Sequence, residues 1–142
     1  MTTLRFTVTD QDTATALGSG DVPVLATPRL LAWLEAATVA AAEPWVDSGS
    51  TTVGIEAFVR HRRASAVGAT IEVQVAGITE LDRGLAFDVI AREVPALPSD
   101  GSADTTSAGT PSAAPGMPVR REVASGRVVR AVVDRATFLA RL

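Results

Sequence analysis

The chain has 142 residues, a formal net charge of −3, a single histidine and no cysteine. Its length is typical of one domain, and its negative charge argues against nucleic-acid binding through bulk positive charge. The lack of cysteine excludes disulfides, thiolate metal sites and a cysteine nucleophile. One histidine cannot build a multi-histidine metal centre, so we expect no metal.

The N-terminus and the longest apolar stretch both argue against export and membrane insertion. Met1–Asp12 is polar and threonine-rich, unlike a signal peptide. Leu30–Ala42 is shorter than the roughly 20 residues of a membrane helix and contains Glu35. These features predict a cytoplasmic protein without membrane association.

The first third of the chain predicts a strand, a loop and a long helix. Alternating apolar residues at Leu4–Val8 indicate a strand, and polar Asp10–Asp21 indicates a loop. Thr27 and Pro28 indicate a helix start, with a capping hydroxyl followed by proline at the first helical position. The helix is expected to end near Glu43, and its apolar stripe comprises Leu30, Leu31, Leu34, Ala37, Thr38 and Ala41.

Three strands are predicted next, at Thr52–Arg62, Thr70–Leu81 and Leu85–Val94, with a tight turn at Asp82–Gly84. Alternation in the first of them places five residues on one face: Val53, Ile55, Ala57, Val59 and His61.

The remainder predicts an insertion, a final strand and a short helix. Pro95–Pro118 is rich in Pro, Ser, Gly, Ala and Thr, which is typical of a flexible connector. Glu122–Asp134 is a valine-rich strand with Gly126 as a candidate bulge, and Ala136–Leu142 could form a terminal helix. We therefore expect one domain spanning residues 1–142.

This order of elements indicates an α+β fold, in which one buried helix packs against a mainly antiparallel sheet. Such a sheet has an open edge strand, and edge-to-edge dimerisation would cover it.

Glu35 is the only charged residue between Leu30 and Ala42. A buried carboxylate must be paired, protonated or used in chemistry, for example as a general base. The alternative is a glutamate that reaches solvent at the helix margin.

Thr27 and His61 each have a functional and an ordinary interpretation. Thr27 lies where free N–H groups and the helix dipole favour developing negative charge, or it is a plain N-cap. His61 is the only imidazole, or it is a polar strand end. Thr27 and Glu35 are separated by about 12 Å along the helix, so substrate, water or His61, from either subunit, must lie between them.

Arginines cluster around His61. Arg60, Arg62 and Arg63 are basic neighbours in an otherwise acidic protein. Arginine binds phosphate well, so a phosphorylated carrier such as CoA is plausible. A solvated strand end is the alternative.

At these residues the chain resembles the fluoroacetyl-CoA thioesterase family, a branch of the hotdog-fold thioesterases. Four elements carry the resemblance from Val22 onward: Leu25-Ala26-Thr27 leading into the helix with Glu35, Val53-Gly54-Ile55 seven residues before His61, Ala124-Ser125-Gly126, and Arg130 to Val133 followed by Phe138.

The resemblance implies a hotdog fold, with an antiparallel five-stranded sheet wrapped around one long helix. It implies hydrolysis of an acyl-CoA or acyl-carrier thioester by a homodimer or tetramer, with CoA as part of the substrate and no cofactor. It further implies catalytic roles for Thr27, Glu35 and His61, and substrate binding by Gly54, Arg60, Arg62 and Val22.

Two alternatives and one departure accompany this hypothesis. A non-catalytic acyl-CoA sensor could have the same fold, whereas a hydratase is disfavoured because the predicted helix has no histidine. The family's phenylalanine lid has no aromatic counterpart in Leu17–Val24, and Pro28 replaces a glycine. We therefore expect an acyl group other than fluoroacetyl.

Overall fold

A computed structural model describes residues 2–96 and 120–142. The strands are β1 (Thr3–Thr7), β2 (Ser50–His61), β3 (Thr70–Leu81), β4 (Gly84–Val94) and β5 (Arg121–Asp134). The helices are α1 (Ala14–Leu17), α2 (Thr27–Ala42) and α3 (Arg135–Ala140), with 3₁₀ turns at Asp10–Asp12 and Glu43–Trp45. The predicted insertion at 95–118 lies outside the described residues from position 97 onward.

The five strands form one antiparallel sheet in the order β1-β3-β4-β5-β2. α2 packs on this sheet through a fully buried stripe that includes Leu30, Leu34, Ala37 and Thr38. The strand side of the core is aliphatic apart from Phe87. The predicted α+β architecture is confirmed, and β2 and β1 are left as the two edges of the sheet.

α2 begins and ends close to the predicted positions, with Pro28 in its first turn and Pro44 just after its end. Proline at the N-terminal turn is compatible with the helix because no intrahelical partner for its missing N–H exists there. Pro44 follows the helix and lies in the 3₁₀ turn after it. The stripe differs from the prediction in three residues: Trp33 and Ala42 are also buried, and Leu31 is only half-buried. Trp33 stacks on Phe6, with 4.6 Å between ring centroids.

Two local predictions were wrong. Asp10–Asp21 is not an irregular loop, because it contains the 3₁₀ turn Asp10–Asp12 and helix α1, and the Thr13 hydroxyl caps α1 by accepting from the Ala16 N–H. Gly126 is not a bulge, because it keeps regular pairing with Val59 and with Val89. A side chain at Gly126 would collide with the backbone oxygen of Phe58, so the glycine permits close strand approach.

The bulge lies in β2 instead. The register against β5 shifts between Gly54 and Glu56, which leaves Ile55 without a partner. Side chains therefore change face at this point. The predicted common face through Val53 and Ile55 is wrong: Ile55 is 64% exposed, whereas Gly54, Val59 and His61 face the helix side.

Candidate active site

Thr27 and His61 meet at the N-terminal end of α2. The Thr27 Oγ1 atom lies 2.8 Å from His61 Nδ1, although the two residues are 34 positions apart in sequence. Thr27 is not the N-cap: Ala26 occupies that position, and no side chain among the described residues caps the helix. The hydroxyl is therefore free to form a hydrogen bond with the imidazole. Neither the N-cap interpretation of Thr27 nor the strand-end interpretation of His61 predicts this contact.

Burial lowers the pKa of His61 below its ordinary value of 6.5, and the backbone of Arg63 acts in the opposite direction. A neutral ring has one nitrogen that accepts and one that donates. If Nδ1 accepts the Thr27 proton, Nε2 carries the hydrogen, and this buried atom has no partner within the described part of the chain. His61 is thus placed to act as a base toward Thr27.

A cleft of about 310 Å³ opens beside this pair. Thr27, Pro28 and His61 form one part of its wall, and Val22 lies in another. Arg62 and Arg63 also line the cleft, and none of the described residues lining it is acidic. In a protein with net negative charge, this wall is suited to an anionic ligand.

Glu35 lies in a second group of polar residues farther along α2. Its Oε2 atom is 3.2 Å from Nη1 of Arg130. Arg130 is buried and donates its other hydrogen bonds to Thr52, from Nε to Oγ1 at 2.9 Å and from Nη2 to the carbonyl oxygen at 3.2 Å. A methyl group at Gly54 would lie 2.5 Å from Oε2, so the glycine makes room for this carboxylate.

Of the two interpretations of Glu35, the structure agrees with a glutamate that reaches solvent at the helix margin. The Glu35 side chain is 38% exposed and paired with Arg130. His61 does not lie near it within one chain. The residue of β2 beside Glu35 is Gly54, and seven positions of extended strand separate Gly54 from His61, a distance of roughly 20 Å.

The predicted arginines differ in their surroundings. Arg60 lies over the Phe58 ring at 5.6 Å from its centroid and does not line the cleft. Arg62 lines the cleft but is held by Glu122 and Ser125, each at 2.8 Å. Arg63 lines the cleft and is exposed. It is therefore the arginine with the greatest freedom to bind a ligand.

Arg130 and Thr52 were not predicted to be parts of the candidate site. The sequence did contain a pattern that could have identified Arg130. Every second residue of β5 from Ala124 through Val128 lies on the buried face, and continuing this alternation places Arg130 on the same face. A charged residue there requires a partner. Thr52 carried no comparable signal, because its hydroxyl matters only through the arginine.

In the part of the chain that the structure describes, no three His, Asp or Glu side chains are grouped in a way that could hold a metal ion. No helix among the described residues is both long and apolar enough to cross a membrane.

Solved structures of hotdog thioesterases resemble this fold. A variant of the fluoroacetyl-CoA-specific thioesterase FlK in complex with fluoroacetate and CoA has 24% identity and a TM-score of 0.72, covering 99% of this chain and 95% of that chain. A thioesterase superfamily member from Thermus thermophilus has 18% identity and a TM-score of 0.73, covering 98% and 85%. A hexameric hotdog thioesterase from Campylobacter jejuni has 15% identity and a TM-score of 0.65, covering 94% and 83%. No curated protein sequence matches the chain.

These similarities confirm the predicted hotdog fold. The family is shown by a separate match: residues 8–98 fit the model of the fluoroacetyl-CoA-specific thioesterases. The matched segment contains Thr27, Glu35, Gly54 and His61. The chain therefore belongs to the FlK family of hotdog-fold acyl-CoA thioesterases.

Proposed function

We propose that this protein hydrolyses an acyl-CoA thioester with Thr27 as the attacking hydroxyl and His61 as its base. The 2.8 Å contact between Thr27 Oγ1 and His61 Nδ1 supports these roles most directly. A hydroxyl is a poor nucleophile by itself, and a neighbouring imidazole activates it by accepting its proton. A protein that only senses acyl-CoA would not require this pair.

In the first step, Thr27 Oγ1 attacks the thioester carbonyl carbon while its proton passes to His61 Nδ1. The tetrahedral adduct collapses, the carbon–sulfur bond breaks, and the thiolate takes the proton from His61. CoA leaves as the free thiol and the acyl group remains as an ester on Thr27. Water then cleaves that ester, which releases the acid and restores the hydroxyl.

The N-terminus of α2 is suited to the oxyanion of this adduct. The Leu30 N–H is already bonded to Ala26, and Pro28 has no N–H. The amides of Thr27 and Arg29 are the remaining donors of the first turn. Their N–H groups, together with the helix dipole, favour negative charge on the carbonyl oxygen.

Glu35 is the proposed base for the water of the second step. Arg130 holds its carboxylate beside Gly54, too far along β2 to reach the Thr27 ester of the same chain. A second copy of the chain resolves this separation if β2 pairs with β2 of its partner in antiparallel fashion. The Glu35 group of one subunit then faces Thr27 and His61 of the other, and a homodimer has two complete sites.

Subunit mixing tests this arrangement. Glu35→Gln and His61→Ala homodimers should each be nearly inactive toward acyl-CoA. Mixed after brief dissociation, they should form heterodimers in which one site carries both substitutions and the other carries neither. Activity should recover toward half of the wild-type value per heterodimer. If each site were built from one subunit, every site would keep a defect and mixing would restore nothing.

The acyl group is proposed to differ from fluoroacetyl. Val22 and Gly20 line the cleft in the segment that the resemblance aligns with the family's phenylalanine lid, and none of the described residues lining the cleft is aromatic, so no ring closes over a two-carbon group there. Comparing kcat/KM for fluoroacetyl-CoA with values for longer acyl-CoAs tests this proposal.

CoA enters as part of the substrate, and the proposed steps use no separate cofactor. Because acyl-CoA is the substrate, we propose a cytoplasmic location.

A further inference from the structure

Arg62 is the arginine of the cleft wall that already has side-chain partners. Its Nη1 atom donates hydrogen bonds to Oε1 of Glu122 and to Oγ of Ser125, each at 2.8 Å. Both bonds use the same nitrogen, and no described residue accepts a hydrogen bond from Nε or Nη2 of Arg62. Glu122 and Ser125 belong to β5 and do not line the cleft, so they hold the arginine from outside it.

The ion pair between Arg62 and Glu122 is strongly exposed to solvent. The Arg62 side chain is 47% exposed, and the Glu122 side chain is 42% exposed. Exposed ion pairs add little to stability, because water screens the charges and because two long side chains lose conformational freedom when they pair. The pair is therefore weak enough for another anion in the cleft to compete for the guanidinium.

Glu122 has a second cation beside it. Arg92 lies directly opposite Glu122 on β4, and directly opposed side chains share one face of the sheet. On β3, Arg92 also lies opposite Glu72, but two other arginines already pair with that carboxylate. The charge of Arg92 therefore remains available to Glu122. Glu122 does not become an isolated carboxylate when Arg62 moves away.

We propose that Glu122 restrains Arg62 in the ligand-free protein and releases it to a phosphate of the substrate. This inference rests on the proposed acyl-CoA substrate. A phosphate can accept hydrogen bonds from two nitrogens of one guanidinium, whereas Glu122 receives only the Nη1 bond. Arg62 and the exposed Arg63 line the same cleft, so a phosphate that reaches one is close to the other. Glu122 is thus a specificity-determining residue, although it does not touch the substrate.

The restraint lowers the affinity of the cleft for phosphate-bearing ligands. Substrate and product carry the same phosphates, so a phosphate contact binds both equally and does not speed the chemical step. Two free arginines would hold CoA after the thioester is cleaved, and slow product release can limit turnover. A cleft with one free and one restrained arginine binds the carrier and still releases it.

Isothermal titration with CoA tests this inference without measuring hydrolysis. Glu122→Gln removes the competing charge, so its Kd for CoA should be about two- to fivefold lower than that of the wild type, as expected for one exposed ion pair. Added to Arg62→Gln, the same substitution should leave Kd for CoA unchanged, because no guanidinium remains to be released. Pantetheine, which lacks the nucleotide phosphates, should bind all four proteins equally.

Glu93→Gln is the matched control, because it removes the same charge from the neighbouring strand, where Glu93 lies opposite Arg121 and is not paired with Arg62. Its Kd for CoA should equal that of the wild type. Two results would overturn the inference: Glu122→Gln protein that binds CoA no more tightly than the wild type, or a gain in affinity that persists without Arg62. Hydrolysis of an acyl-pantetheine, which needs no phosphate contact, judges the proposed chemistry separately.

Discussion

Gly54 provides the space into which the carboxylate of Glu35 extends. A methyl group there would lie 2.5 Å from Glu35 Oε2 and 3.4 Å from Arg130 Nη1, so Gly54→Ala must displace the carboxylate. Because Glu35 is the flexible partner, we expect the fold to survive. Misplacing a reacting group by about 1 Å can cost about 100-fold in rate. We therefore expect kcat of Gly54→Ala to fall by about 10- to 100-fold.

Gly77→Ala is the control for this substitution. Gly77 also lies in a strand at a register shift, and a methyl group there would come within 3.4 Å only of the Asp88 carboxylate. Its kcat should be close to that of the wild type. Equal losses in the two variants would indicate a general effect on the sheet and not a specific effect on Glu35.

The sequence predicted the elements better than the contacts. Proline, turn residues and alternation determine local backbone conformation, so α2 and the four long strands agree with prediction to within a few residues. The bulge at Ile55 was not predicted although Gly54 precedes it, because a glycine within a strand can instead mark a close approach of another group, and the cause of the bulge lies in pairing with β5. This one extra residue changes which side chains of β2 face the helix.

In the candidate site, too, the residues were predicted better than the contacts between them. Thr27 and His61 were selected as separate residues, and their contact depends on where the end of β2 meets the start of α2. Periodicity placed Glu35 at the helix margin, where it does reach solvent. Its partner Arg130 is 95 residues away, a separation that local patterns cannot bridge.

Replacing Thr27 should affect catalysis far more than stability. Thr27→Ala removes the attacking hydroxyl, and we expect kcat to fall by about 10²–10⁴-fold. The hydroxyl does not cap α2, so the loss of about 1 kcal/mol typical of a removed cap should not appear in the free energy of unfolding. Steady-state kinetics and urea unfolding measure the two quantities.

Thr27→Ser keeps the hydroxyl and should retain most of the activity. Should Thr27→Ala instead keep near-wild-type kcat, the attacking group must be water or Glu35.

The activity should depend on the protonation of His61. Burial lowers the pKa of His61 below 6.5, and only the neutral ring can accept the Thr27 proton. We expect kcat/KM to rise with pH through an inflection below 6.5 and then to reach a plateau. An inflection above 6.5 would contradict this role.

The same shift predicts a change in stability with pH. Because the folded pKa is the lower one, the unfolded chain binds more protons between the two values. The contribution of neutral His61 is therefore complete above pH 6.5 and is lost as pH falls to the folded pKa. In His61→Gln this pH-dependent part of the unfolding free energy should be absent.

Arg130 should contribute to both stability and activity. Arg130→Met removes a buried cation that bonds Glu35 and Thr52, and we expect a loss of about 2–4 kcal/mol in unfolding free energy together with reduced kcat. Glu35→Gln, at a side chain that is more than one-third exposed, should cost much less stability. Urea denaturation of both single variants and the double variant would show whether the two residues are energetically coupled. If the two losses of unfolding free energy simply add, Glu35 and Arg130 are not coupled.

Arg63 should recognise the phosphates of CoA and not the acyl group. Its guanidinium is exposed on a cleft wall without described carboxylates, whereas that of Arg62 is already paired with Glu122. Arg63→Gln should raise KM for an acyl-CoA about 10-fold with little change in kcat, because a phosphate contact is remote from the reacting carbon. The same acyl group on a pantetheine thiol, which lacks the nucleotide phosphates, should show no change in KM.

Arg83→Gln is the control variant, because Arg83 is an exposed arginine in the β3–β4 turn away from the cleft. It should leave KM unchanged for both substrates. An equal rise in KM for the CoA and pantetheine thioesters would mean that Arg63 shapes the cleft rather than binds phosphate.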